Sequence, residues 1–177
     1  MTGWEAAAVW AAIALYAAAW IVHMTGLVFK QDKLQAAGSV LAGSGLAAHT
    51  AAVAARWVAT GHAPVVGNYE NALAGTWAVV LALWALARRR PALWAGEAVV
   101  LPLVLLTLGY GLLRSPVPTT LTPAYQSPWL FVHVLFAWLG YAAFTVAAAV
   151  GVLYLCKHRR PAGERWARLP ALEELDL

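Results

Sequence analysis

Charge is scarce in this chain. Of its 177 residues, 11% are charged and 62% are apolar, whereas a soluble domain carries about 25% charged residues. That shortage excludes an ordinary soluble enzyme. It also excludes a disordered chain, which is poor in apolar side chains and rich in charge. Cysteine occurs once, as Cys156, so an intramolecular disulfide is excluded. Covalent haem attachment to a Cys-x-x-Cys-His motif of this chain is excluded as well. The Gly-rich phosphate loop, the His-Glu-x-x-His zinc motif and the Gly-x-Ser-x-Gly elbow are missing too. No internal repeat and no linker to a soluble domain is visible, and the length suits one domain.

The few charges are clustered, and long uncharged runs separate them. A hydrocarbon core of about 30 Å needs about 20 apolar residues in a helix. Five segments meet or approach that length, near residues 4–29, 36–58, 71–87, 93–113 and 129–156. The expected fold class is therefore an all-α polytopic membrane protein with five transmembrane helices in one domain. The third segment is short, and a snorkelling Arg88 extends it. A cleaved signal peptide is not expected, because no basic region precedes the long first segment.

Basic residues set the expected orientation. Lys30 and Lys33, Arg88–Arg90, and the group Lys157, Arg159, Arg160, Arg165 and Arg168 fall on one side of a five-helix arrangement. They make up ten of the twelve lysines and arginines. The positive-inside rule then puts the N-terminus outside, with the C-terminus and the tail 157–177 in the cytoplasm. Such short basic collars do not make a nucleic-acid surface. Two outer loops follow, 59–70 and 115–128, both rich in Pro, Gly, Asn and Thr. Trp57, Tyr69, Tyr110, Tyr125 and Trp129 gather at that face, as in a lipid-interface belt. The tail from Arg165 to Leu177 carries both charge signs and reads as the start of a surface helix.

Histidine carries the chemistry. Ionisable residues within spans are costly and face the protein interior or a cavity, and neutral imidazole is a common axial haem ligand. His49 and His133 are therefore ligand candidates; the alternative is a hydrogen bond to a neighbouring helix. His133 lies about 6 Å below Trp129, and His49 about 14 Å below Val58. A haem bridging these two would have to tilt. His62 and His133 are closer in level, which favours an outward-facing site. His23 lies near the inner end of the first span and His158 in the basic tail. Glu97 is the one acid well inside a span, and it has two readings. It is a carboxylate favoured at a helix N-terminus, or a contact for a proton or partner.

The stretch Arg56–Glu70, RWVATGHAPVVGNYE, resembles the pattern RW-x-x-x-GH-x-P-x-x-N-x-YE. That pattern belongs to the CcsA/ResC proteins of system II cytochrome c biogenesis. The stretch Leu121–Tyr141, LTPAYQSPWLFVHVLFAWLGY, resembles the same family's PALQS-x-WL-x-x-HV segment. His49-Thr50 and the tail LPALEELD are similar as well. One departure is Gly67, which stands where the pattern has its Asn; Asn68 follows one place later.

The resemblance implies haem handling at the outer face of the plasma or inner membrane, together with a CcsB/ResB-type partner. It also implies presentation of non-covalently held haem b to apocytochrome c. It aligns His133 with the family's first external haem-ligand histidine and puts the loop 61–70 beside that site. Asn68, Tyr69, Gln126 and Ser127 would then donate to propionates, Arg114 and Arg56 would pair with them, and Trp129 would form an apolar wall. His62 would ligate or hydrogen-bond a propionate. The family's Trp-rich WWD motif and its later histidines do not occur in these 177 residues. The chain therefore resembles the family's N-terminal half. A second axial ligand is expected from His62 or from a second chain carrying the WWD motif, and haem attachment is expected of a complex, not of this chain alone. Two other readings stay open. One is a haem-free membrane scaffold built on close contacts at Gly38, Gly43, Gly45, Gly140 and Gly151. The other is a b-type electron-transfer subunit with a haem at His49.

Overall fold

A computed structural model of the chain describes residues 1–29, 31–114, 123 and 126–159. Helix α1 spans Gly3–Phe29, α2 Asp32–Thr60, α3 Gly67–Arg89, α4 Ala95–Leu113 and α5 Pro128–Arg159, with a 3₁₀ turn at Pro91–Trp94 leading into α4. Among the described residues there is no strand. All five helices are long and apolar enough to cross a membrane, and the chain is a multi-pass membrane protein. Most of the expected loop 115–128, Tyr125 included, and the tail beyond Arg159 lie outside the described residues.

Successive helices run antiparallel, so the molecule has two ends. The loop end gathers the start of α1, the end of α2, the start of α3, the end of α4 and the start of α5. The basic end holds Lys33, Arg88, Arg89 and the last turn of α5 with Lys157 and Arg159. α1 and α2 form a tight pair, α3 packs on α4 and α5, and α1 also meets α4.

Side chains are distributed for a lipid solvent. Trp4, Val40, Val58, Leu106, Phe136 and Phe144 face outward, while Glu5, His23, Gln35, His49, Arg56, Glu70, Thr76 and Glu97 are buried. Lipid tails accept the apolar surface, and the interior must satisfy every polar group. It does: among the described residues no sealed side-chain nitrogen or oxygen lacks a hydrogen-bond partner.

Small residues make the α1–α2 contact possible. A methyl group on Gly38 would lie 2.7 Å from the His23 ring, and one on Gly45 would lie 2.6 Å from the Tyr16 ring. Gly43 approaches Trp84 of α3 in the same way, whereas Gly140 and Gly151 have nothing within 4 Å. Gly26 of α1 and Gly111 of α4 are just as closely approached, by Gln35 and Ala72 at 2.6 Å, whereas the expected contacts at Gly140 and Gly151 are not made within the bundle.

Helix limits differ from expectation mainly at α2 and α3, which both start four residues earlier and end two later than their apolar runs. In α3 the polar stretch Gly67–Glu70 forms the first turn. Glu70 turns inward and accepts a hydrogen bond from the Val66 N–H at 2.9 Å. Thr60 likewise belongs to α2. The irregular segment between α2 and α3 is therefore only residues 61–66.

Candidate functional site

The loop end is locked by a buried polar cluster. Thr2 and Glu5 make a reciprocal capping pair at the start of α1, with the Thr2 N–H donating to Glu5 Oε2 at 3.1 Å and the Glu5 N–H donating to Thr2 Oγ1 at 3.2 Å. Glu5 Oε1 accepts from the Tyr69 hydroxyl at 2.9 Å and lies 3.5 Å from Arg56 Nη1. Arg56 Nε donates to Glu70 Oε1 at 2.9 Å, and its guanidinium lies 5.1 Å from the Tyr69 ring centroid. One cation from α2 is thus held by carboxylates from α1 and α3. Arg56, expected to pair with a propionate, is 1% exposed and faces the interior. The Tyr69 hydroxyl is likewise engaged inside the protein.

A second set of residues at the same end faces outward. Gly61 ends α2 with φ 73°, and its N–H reaches the Trp57 carbonyl, the left-handed cap that glycine adopts without strain. His62 follows, half-buried, with Nδ1 donating to the Ala63 carbonyl at 2.8 Å. Asn68, Arg114, Gln126, Trp129 and His133 are all exposed. The Arg114 guanidinium lies 4.8 Å from the Tyr110 ring centroid. α5 opens at Pro128, whose fixed φ suits a first helical position, so His133 stands in its second turn. Phe131, Val132, Leu135 and Phe136 beside it are exposed. Among the described residues the His133 imidazole has no hydrogen-bond or ion-pair partner.

His49 has a different environment. It is fully buried, with Nε2 donating to the Leu73 carbonyl at 2.9 Å. Nδ1 then accepts from the Tyr16 hydroxyl, 3.2 Å away. One ring ties α2 to α1 and α3 and has no nitrogen left for an iron. Of its two sequence-level readings, the structure carries the hydrogen bond between helices.

The basic end holds a pairing that its local sequence does not reveal. His23 of α1 contacts Glu97 of α4, with Nε2 and Oε2 2.6 Å apart. Gln35 of α2 donates through Nε2 to the His23 carbonyl at 3.1 Å. Its Oε1 therefore faces His23 Nδ1, at 2.8 Å, and accepts from it. The Nδ1 proton is thus directed at Gln35, and Nε2 faces the carboxylate. Trp94 stacks on the imidazole at 6.2 Å between centroids. Glu97 is in the first turn of α4, as the reading of a carboxylate at a helix N-terminus expected, and it contacts a histidine of the same chain. The available signal was that His23 and Glu97, both in apolar runs, fall at the same end of antiparallel spans. Glu5 and Glu70 gave less signal, because each sits at the edge of an apolar run. Among the described residues no group of three or more His, Cys, Asp and Glu side chains is placed to hold a metal ion.

The comparisons with known proteins converge. The family model for "Cytochrome C assembly protein" matches residues 8–176. A cytochrome c biogenesis protein CcsA of Synechococcus sp. (strain JA-2-3B'a(2-13)) is 30% identical over 165 residues, covering 86% of this chain and 45% of that protein. The CcsA of Guillardia theta is 28% identical over 143 residues, covering 76% of this chain and 46% of its own. The CcsA of Prochlorococcus marinus (strain AS9601) is 29% identical over 110 residues, covering 59% of this chain and 35% of that one. The chain thus spans less than half the length of these relatives. No solved structure matches it. The family match along nearly the whole chain, which folds into five helices apolar enough to cross a membrane, makes this chain a member of the cytochrome c assembly protein family.

Proposed function

We propose that this chain binds haem b non-covalently at the loop end and helps present it to apocytochrome c, as a subunit of a cytochrome c assembly complex in the inner or plasma membrane. The observation that supports it best is His133: an exposed imidazole, without a partner among the described residues, on an apolar stretch of α5. The donor set fits the group. His133 would supply an imidazole ligand, and Trp129 a flat apolar wall. Arg114, Asn68 and Gln126 suit propionate carboxylates, since guanidinium pairs with carboxylate geometrically and amides donate to it. His62, or a histidine of another chain, would supply a second imidazole ligand. Bound haem would supply the porphyrin vinyl groups to which an apocytochrome's thiols add. The residues of this chain hold, orient and expose it. Arg56, Tyr69 and His49 act on this site only by fixing the helices around it. A CcsB/ResB-type membrane partner, a second chain carrying the WWD motif, and apocytochrome c are the expected associates.

The test is an absorption spectrum of the purified chain from haem-replete cells, oxidised and dithionite-reduced, alone and with the candidate partner. A Soret band with b-type reduced bands is expected. His133→Ala should abolish it, and added imidazole should restore part. Haem content unchanged in His133→Ala would remove His133 from the site.

A further inference from the structure

A cavity of about 390 Å³ opens at the basic end between α2, α3 and α4. Glu97 lines it and is 3% exposed. Its Oε2 is occupied by His23 and lies 3.5 Å from the Ser39 hydroxyl, which points its proton there. Oε1 has no hydrogen-bond partner among the described residues, yet it is not sealed off. A buried carboxylate oxygen is therefore left for a donor that the protein does not provide. Asp32 lines the same cavity, and so does Arg88, whose guanidinium lies 4.5 Å from the Trp84 ring centroid. Among the described residues Arg88 makes no ion pair.

The lining has both signs of charge and indole walls, from Trp84 and Trp94. A plain anion would meet Glu97 and Asp32, and a plain cation would meet Arg88. A zwitterion with both groups answers both sides. The level in the bundle points to the source. Arg88 and Arg89 occupy the last turn of α3, where lysines and arginines reach lipid headgroups. Tryptophan prefers the same level.

We propose that this cavity binds the headgroup of a membrane phospholipid carrying a primary ammonium and a phosphate. The ammonium donates to Glu97 Oε1 with Asp32 nearby, the phosphate meets Arg88, and the indoles pack against the apolar part. A quaternary ammonium lacks the N–H donors that Oε1 requires, so phosphatidylcholine should not substitute. This site is independent of the haem reading and lies at the opposite end of the bundle.

The experiment is native mass spectrometry of the full chain, equilibrated with equimolar phosphatidylethanolamine, phosphatidylcholine and phosphatidylglycerol of identical acyl chains. Phosphatidylethanolamine should be retained over each of the others by about tenfold or more, the worth of one charge-assisted hydrogen bond. Glu97→Gln should remove that preference. Since Glu97→Gln also disturbs the His23 pair, Arg88→Gln serves as the second variant; its exposed side chain can change without opening the core, and it should lower phosphatidylethanolamine retention. Helical content by circular dichroism confirms that both variants are folded. Equal retention of phosphatidylethanolamine and phosphatidylcholine by the native chain, or undiminished phosphatidylethanolamine retention in folded Arg88→Gln, overturns the proposal. Free phosphoethanolamine binding as tightly as the intact lipid overturns the membrane source.

Discussion

Arg56 sits between carboxylates contributed by two other helices, and its burial makes it a structural charge. Removing one partner of a buried ion pair leaves the other uncompensated, at a cost of about 3–5 kcal/mol. Arg56→Met should therefore lower the unfolding midpoint in detergent strongly, and adding Glu70→Gln to it should recover part of the loss. An unchanged midpoint in Arg56→Met would mean that the cluster carries no weight. His49 makes a second residue-scale case. His49→Phe removes the donor to the Leu73 carbonyl and the acceptor for Tyr16, a loss of about 1–3 kcal/mol. Any bound haem should persist in this variant, and its disappearance with the fold intact would return His49 to the ligand set. The types of both residues marked them in the sequence, since an ionisable side chain in an apolar run must meet something. What each meets depends on neighbours 24 or more residues away for His49, and no local pattern encodes that.

At the scale of the element, α3 shows how a polar motif was mistaken for a loop. Gly67 and Asn68 in succession have turn chemistry, yet Glu70 two residues on satisfies both Arg56 and the Val66 N–H, and so pulls the turn into a helix. Gly67 opens that helix with φ 82° and has nothing within 4 Å of where a methyl would sit. Only backbone strain then opposes substitution. Asn also tolerates this region, which explains physically why Gly can stand where the family pattern has Asn. Gly67→Asn should be nearly neutral, whereas Gly67→Val should cost about 1–2 kcal/mol, read from thermal unfolding of the two variants side by side. Equal midpoints would show that the positive φ is not retained in the membrane. α5 is the converse case. Its apolar run announced a span, and its 32 residues reach about 48 Å at 1.5 Å per residue. The half bearing His133 exceeds what this bundle covers, so the histidine stays exposed.

For the molecule as a whole, the two ends differ in charge, and that difference sets a testable topology. The positive-inside rule assigns the end with Arg88, Arg89 and Lys157 to the cytoplasm. In intact cells an impermeant thiol reagent should label Ser127→Cys at the loop end. The native Cys156, near the end of α5, should react only after permeabilisation. The opposite pattern would place the His133 face inside and remove the basis for presenting haem outward.

The length and spacing of uncharged runs settled the number of helices, their alternation and the membrane as solvent, because each span must satisfy its own backbone hydrogen bonds whatever its neighbours do. The signatures around His62 and His133 pointed to the family for the same reason of locality: they are read within 15 and 21 consecutive residues. Tertiary structure decided which polar side chains turn inward. It divided the candidates into Arg56, Tyr69 and His49, which hold helices together, and His133, Trp129, Asn68, Gln126 and Arg114, which remain exposed. It also joined His23 to Glu97 across 74 residues of chain. A buried polar group takes its partner from whichever helix packs against it, and helix packing is set by the shapes of whole faces, not by the residues on either side in sequence.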